Sequence, residues 1–153
     1  HGNVNNMVTA VGRLHPDMII HLGDCWADAE QLHRKFPMTV MEQVPGNCDC
    51  RQEVQERILL IEGKKILICH GHTFNVKAGY LNLEYAAEER KVDAALFGHT
   101  HRVFYDKHNR ITYMNPGSIG QPPYGIPPSY GVLQVDGSSN TIATDVIYLE
   151  ENN

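Results

Sequence analysis

Five short apolar runs in this chain end in the same way, and that recurrence constrains the fold more than any other feature. Met18–Leu22 is followed by Gly23-Asp24, and Thr39–Val44 by Pro45-Gly46-Asn47. Lys65–Cys69 is followed by His70-Gly71-His72, and Asp93–Phe97 by Gly98-His99-Thr100-His101. Ile111–Met114 is followed by Asn115-Pro116-Gly117-Ser118. A run of four to six apolar residues bounded by turn residues reads as a buried strand. Continuous apolar strands need cover on both faces. Five strands that each end in a glycine and an Asp, Asn or His therefore predict a layered α/β fold with its oxygen and nitrogen ligands gathered at one sheet edge. In open α/β sheets that edge, outside the carboxyl ends of the strands, is where ligands bind.

The rest of the pattern fills in the layers. Val4–Leu14 carries Met7, Val8, Val11 and Leu14 at helical spacing and stops before Pro16, so it predicts a helix. Ala27–Phe36 predicts a weaker helix ended by Pro37. Val76–Lys91 predicts the strongest, with Val76, Tyr80, Leu83 and Ala87 three and four residues apart. Gly63 between two apolar runs predicts a hairpin of Arg57–Ile61 with Lys65–Cys69. Lys107–Arg110 predicts a turn between Val103–Tyr105 and Ile111–Met114. Residues 116–128, rich in Pro and Gly, read as a long loop. Tyr130–Val135 and Ile142–Leu149 read as a closing hairpin.

Composition narrows the class. The chain has 153 residues, enough for one domain with a full core. Its formal net charge of −5 argues against a protein that tracks nucleic-acid phosphates. No apolar run approaches the ~20 residues a membrane helix needs. The four cysteines, Cys25, Cys48, Cys50 and Cys69, include no CxxC pair, so they read as reduced thiols of a cytoplasmic protein rather than a zinc site. Nine histidines are the compositional excess. Any one of them taken alone reads as a core or rim histidine. Three at the ends of strands, beside Asp24 and Asn47, read as ligands for Mn, Fe, Zn or Ni rather than Ca.

In this order the motifs resemble those of the calcineurin-like metallophosphoesterases. Gly23-Asp24, Gly46-Asn47, His70-Gly71-His72 and Gly98-His99-Thr100-His101 match the ordered family motifs. The opening His1-Gly2-Asn3 is similar to the second half of the family's first motif, Asp-x-His-Gly-Asn. Cys48, His70-Gly71-His72 and Asn115-Pro116-Gly117-Ser118 look like the small bacterial and archaeal phosphodiesterase branch. The resemblance covers nearly the whole chain. It implies a single domain over residues 1–153 with a four-layer α/β/β/α sandwich, two mixed β-sheets flanked by helices. A further strand, carrying the motif's first Asp, is expected ahead of His1.

The resemblance also implies a pair of divalent cations. Mn2+ is the expected ion, with Ni2+, Fe and Zn2+ also compatible. Asp24 would bridge the two, with His1 and His101 on the first and Asn47, His70 and His99 on the second. The implied reaction is hydrolysis of small phosphodiesters by in-line attack of a metal-bridging hydroxide, with Asp24, Asn47, His70, His72 and Cys48 as the catalytic set. Cys48 stands where many members of the family have a His that helps protonate the leaving group, so His72 or a metal-bound water is expected to take that role. Asn115, Ser118, Arg102 and His72 are the expected substrate contacts. Asp49 or a backbone carbonyl is expected to fix a ligand tautomer. No nucleic-acid or membrane partner is expected, and homo-oligomerisation is left open. The rival functions are a non-catalytic binding scaffold on the same fold and a phosphomonoesterase or nucleotidase.

Overall fold

In the computed structural model, which describes residues 1–50 and 52–149, α1 spans Val4–Leu14 as the pattern predicts. The Asn3 side chain caps it by accepting from the Asn6 N–H, and His15 ends it in a left-handed conformation at φ 47°. α2 spans Trp26–Lys35. These two helices bury Met7, Val11 and Leu32 against Ile19 and Met41. Ile19 and Met41 belong to the parallel pair β1 (Met18–His21) and β2 (Val40–Gln43).

A five-stranded mixed sheet forms the next layer. β3 (Glu56–Ile61) and β4 (Lys64–Cys69) make the expected hairpin. Its two-residue turn, Glu62-Gly63, has φ of 48° and 79°, the backbone sense that matches strand twist. β4 pairs in parallel with β5 (Ala94–Leu96), and β5 with β7 (Ile111–Pro116). β6 (Val103–His108) closes the edge antiparallel to β7, through the left-handed turn Asn109-Arg110. The final hairpin, β8 (Ser129–Asp136) and β9 (Thr141–Tyr148), is a separate antiparallel pair.

The order of layers follows from which side chains meet. Ile66, Ile68, Ala94, Leu96 and Met114 on one face of the five-stranded sheet pack on Met18, Ile20, Leu133, Ile142 and Val146. The β1–β2 and β8–β9 pairs thus form the second β layer, with α1 and α2 outside it. On the opposite face Leu67, Cys69, Ala95, Phe97 and Tyr113 pack on Leu83 and Ala87 of α3 (Leu81–Glu89). The result is helix, sheet, sheet, helix.

The main difference from the sequence reading is α3. The periodicity predicted a helix from Val76, but the helix begins only at Leu81. Gly79 at φ 149° breaks it, and residues 72–74 form a 3-10 turn instead. Val76 and Tyr80 keep their core contacts from a loop, so apolar spacing there reflects packing and not a helix. All four cysteines are free, and Cys69 is buried. No helix among the described residues is long and apolar enough to cross a membrane.

Candidate metal centre

The carboxyl ends of β1, β2, β4 and β5 lie side by side because each pair runs in parallel. Backbone bonds continue the ladders into the turns. The Val44 N–H donates to His21 O at 3.1 Å, and the Gly98 N–H to His70 O at 2.9 Å. The polar residue after each strand is thereby fixed on one edge.

Glycine is required at two of these turns. A Cβ on Gly23 would lie 2.6 Å from His70 Nδ1 and 2.8 Å from Gly46 N. A Cβ on Gly46 would run into the Asp24 side chain. The residues that follow are strained. Asp24, Cys25, His99 and His101 all have φ between 57° and 66°, a region that L-residues enter at a cost. The turns therefore hold the side chains inward against backbone preference.

Two groups of donors converge on Asp24, which is 5% exposed. On one side His1 Nε2 lies 3.2 Å from Asp24 Oδ2 and 3.2 Å from His101 Nε2, and His101 Nε2 lies 3.8 Å from the same oxygen. On the other, His70 Nε2 lies 3.5 Å from Asp24 Oδ2, 3.2 Å from Asn47 Oδ1 and 3.2 Å from His99 Nδ1. The six residues expected as ligands are thus brought together in two clusters sharing one carboxylate. His72 stands beside the second cluster, its ring centroid 5.3 Å from that of His70 and 6.0 Å from that of His99.

The donor chemistry fits divalent cations. His70 Nδ1 lies 2.8 Å from Leu22 O and must donate its proton there, so Nε2 is a bare lone pair. That lone pair faces two acceptors, Asp24 Oδ2 and Asn47 Oδ1. His101 repeats the arrangement, with Nδ1 2.8 Å from Gln121 O and Nε2 turned to Asp24 and His1. Lone pairs facing lone pairs repel unless a proton or a cation lies between them. Burial holds His70 below its ordinary pKa, partly offset by Asp24, and pushes His99 down to about 4 together with Lys77 and His70. Protons are therefore the poorer solution at neutral pH. Donors bound to one cation at about 2.0–2.2 Å sit roughly 3–3.5 Å apart, close to the 3.2–3.8 Å separations given above. Burial alone would raise the Asp24 pKa, but His70 and the Cys48 N–H outweigh it and hold the carboxylate ionised.

Several supporting residues were not legible in the sequence. The backbone nitrogens of His1 and Gly2 both donate to Asp28 Oδ2, at 3.1 and 2.7 Å. Cys25 Sγ lies 3.7 Å from His1 Nδ1. Asp28 and Cys25 look like ordinary residues of a helix start, and only the fold places them against His1. Asp49 holds no ligand histidine. It accepts from the N–H groups of Gly46 and Trp26, each at 2.7 Å, and so ties the Asn47 turn to the start of α2.

The expected substrate contacts divide. Asn115 is fully buried. Its Nδ2 donates to Gly98 O at 2.7 Å and to Thr100 Oγ1 at 3.0 Å, and its Oδ1 accepts from the Gly117 N–H at 3.0 Å. These bonds tie Asn115 to the turn around His99 and to its own turn at Gly117. Ser118 Oγ accepts from the Gln121 N–H at 2.9 Å and steadies the loop that presents Gln121 O to His101. Arg102 is exposed next to His101. Cys48 is exposed, its N–H donating to Asp24 Oδ1 at 3.3 Å.

Comparison with known proteins bears on this geometry. Residues 1–138 match the calcineurin-like phosphoesterase superfamily domain. A relative in Bacillus subtilis, described as the probable metallophosphoesterase YsnB, is 35% identical over 128 residues, which is 82% of this chain and 73% of that one. Phosphodiesterase YfcE of Escherichia coli K12 is 30% identical over 114 residues, 74% of this chain and half of YfcE. A conserved uncharacterised protein of Streptococcus pneumoniae TIGR4, described as a predicted phosphoesterase, has a crystal structure that superposes with a TM-score of 0.77. It shares 25% identity, and the match covers 97% of this chain and 84% of that one.

Proposed function

This chain belongs to the calcineurin-like phosphoesterase superfamily, and from that premise we propose that it is a phosphodiesterase acting on small phosphodiesters with two divalent cations, Mn2+ foremost. The observation that carries the reading is the shared Asp24 carboxylate with bare histidine lone pairs on both sides of it. His1, Asp24 and His101 offer ligand atoms all within 4.8 Å of one another, which suits one cation, and Asn47, His70 and His99 meet on the other side of the same carboxylate.

Cations held there would supply an ionised water near neutral pH and would neutralise charge on the phosphoryl oxygens. The chain's own residues do the rest. His1 and His101 would hold the first ion with Asp24, and Asn47, His70 and His99 the second. Leu22 O and Gln121 O fix the tautomers of His70 and His101. His72, beside the second cluster, would donate a hydrogen bond to a substrate oxygen, and the exposed Cys48 and Arg102 would form the rim. The cytoplasm is the proposed compartment, in keeping with four free thiols.

A non-catalytic scaffold would not need these six donors, which here stand together around one carboxylate. The test is hydrolysis of bis(4-nitrophenyl) phosphate by the purified protein with Mn2+. Activity should disappear with chelator and in Asp24→Asn and His70→Ala. Equal activity in either variant would sink the assignment. Faster turnover of 4-nitrophenyl phosphate would make it a phosphomonoesterase, and metal binding without hydrolysis of either ester would make it a scaffold.

A further inference from the structure

We propose that Cys25 and Asp28, both at the start of α2, are positioning residues for His1, and that they set the affinity of the first cation and not of the second. The proposal rests on the two-cation reading above.

The ligands proposed for the two ions are held in different ways. Asp24, Asn47, His70, His99 and His101 each follow a strand, β1, β2, β4 or β5. His1 lies ahead of α1, and side chains of α2 hold it. Asp28 Oδ2 accepts from His1 N at 3.1 Å and from the Gly2 N–H at 2.7 Å. One carboxylate oxygen thus clamps two consecutive backbone donors, and at 8% exposed it meets little competition from water. Gly2, at φ 77°, has the freedom of glycine, and a Cβ there would meet nothing within 4 Å. Close packing fixes the turns at Gly23 and Gly46, whereas the Asp28 bonds fix this one.

The ring is held from the same helix start. His1 Nε2 lies 3.2 Å from Asp24 Oδ2 and 3.2 Å from His101 Nε2. For Nε2 to offer a lone pair to a cation, the proton must sit on Nδ1. Nδ1 meets Cys25 Sγ at 3.7 Å, so the thiol sulfur is the acceptor that keeps the proton there. It takes the part that Leu22 O takes for His70 and Gln121 O for His101. Cys25 stands at the N-cap of α2 but makes no side-chain bond to the helix, and its sulfur is turned to His1 instead. Among the described residues, neither Cys25 nor Asp28 bonds through its side chain to Asn47, His70 or His99.

The experiment is calorimetric titration of the purified protein with Mn2+, with His101→Ala and His99→Ala assigning the two binding steps. In Cys25→Ala and in Asp28→Ala the first-cluster step should weaken by about tenfold or more, and the second-cluster step should be unchanged. Cys25→Ser and Asp28→Asn keep an acceptor in place and should restore the first step. At Mn2+ levels that fill both clusters of the wild type, the electron paramagnetic resonance signal of a coupled Mn2+ pair should give way to that of single ions in the two alanine variants. Two unchanged steps in both alanine variants overturn the proposal and leave the two-cation reading standing. So does weakening of both steps together with a lower melting temperature of the metal-free protein and no recovery in Cys25→Ser or Asp28→Asn, which marks a merely structural role. A wild-type protein that binds fewer than two Mn2+ overturns the two-cation reading and the proposal with it.

Discussion

Replacing Asn115 separates a residue that holds the metal ligands from one that touches substrate. Its side chain makes three hydrogen bonds, to Gly98 O, Thr100 Oγ1 and Gly117 N. Each contributes about 0.5–1.5 kcal/mol net, and a buried partner left without a bond costs about 1–3 kcal/mol. Asn115→Leu keeps the volume and removes all three. Gly98 is buried and Gly117 partly so, and Thr100 Oγ1 can turn to other partners. The expected loss is therefore about 3 kcal/mol, with about 10 °C off the melting temperature of a domain this size. Typical stabilities of about 5–15 kcal/mol leave the variant folded. Because Gly98 leads directly into His99, the second cluster should loosen, and Mn2+ affinity should fall by about tenfold or more. Urea unfolding and calorimetric Mn2+ titration read the two effects, and kinetics at saturating Mn2+ reads the third. The positioning role predicts a large stability loss, weaker metal binding and a KM for bis(4-nitrophenyl) phosphate within about twofold of wild type once the metal is replaced. Stability within 1 kcal/mol of wild type, together with a KM raised tenfold, would refute the reasoning and return Asn115 to the substrate contacts that its motif suggests.

Gly46→Ala should place a methyl against the Asp24 carboxylate. Mn2+ binding by calorimetry should weaken by at least about tenfold, more than in a Gly12→Ala control, whose added Cβ meets nothing. Mn2+ at about 100 times its dissociation constant should stabilise the protein by about 2.7 kcal/mol, and excess chelator should remove that gain in a thermal melt. Asp136 accepts from the N–H and hydroxyl groups of Ser138 and Ser139, which holds its pKa down at about 2. Its contribution is therefore complete above pH 4 and lost as pH falls toward 2, so the difference in melting temperature between wild type and Asp136→Ala should be constant from pH 7 to 4 and close below that.

The fold was largely legible because each element has a local cause. Val4–Leu14 carries its own cap and stop, and the two left-handed turns at Glu62-Gly63 and Asn109-Arg110 fall between paired strand runs. Only α3 misled, since Val76 and Tyr80 serve the core from a loop and leave the same apolar spacing that a helix would. The residues proposed as ligands stood out for a different reason: Asp, Asn and His are ligand types, and a residue that reaches a shared edge follows a strand, so both constraints leave a trace in the sequence.

The supporting groups leave no such trace. Leu22 and Gln121 act through their carbonyl oxygens, and any residue other than the one in a strained turn could supply those. Asn115 is the instructive middle case. Its type and position after a strand match the ligand pattern, and the sequence accordingly groups it with the residues that meet the substrate. What separates it is burial: a polar side chain 0% exposed must satisfy its amide within the protein, whereas a ligand must keep a lone pair open toward the site. His70 is just as enclosed at 2% exposed, yet its Nε2 faces Asp24 Oδ2, Asn47 Oδ1 and His99 Nδ1 across the site. The distinction between holding a site and forming it thus lies in whether each donor meets an acceptor, which three-dimensional contacts decide and residue type does not.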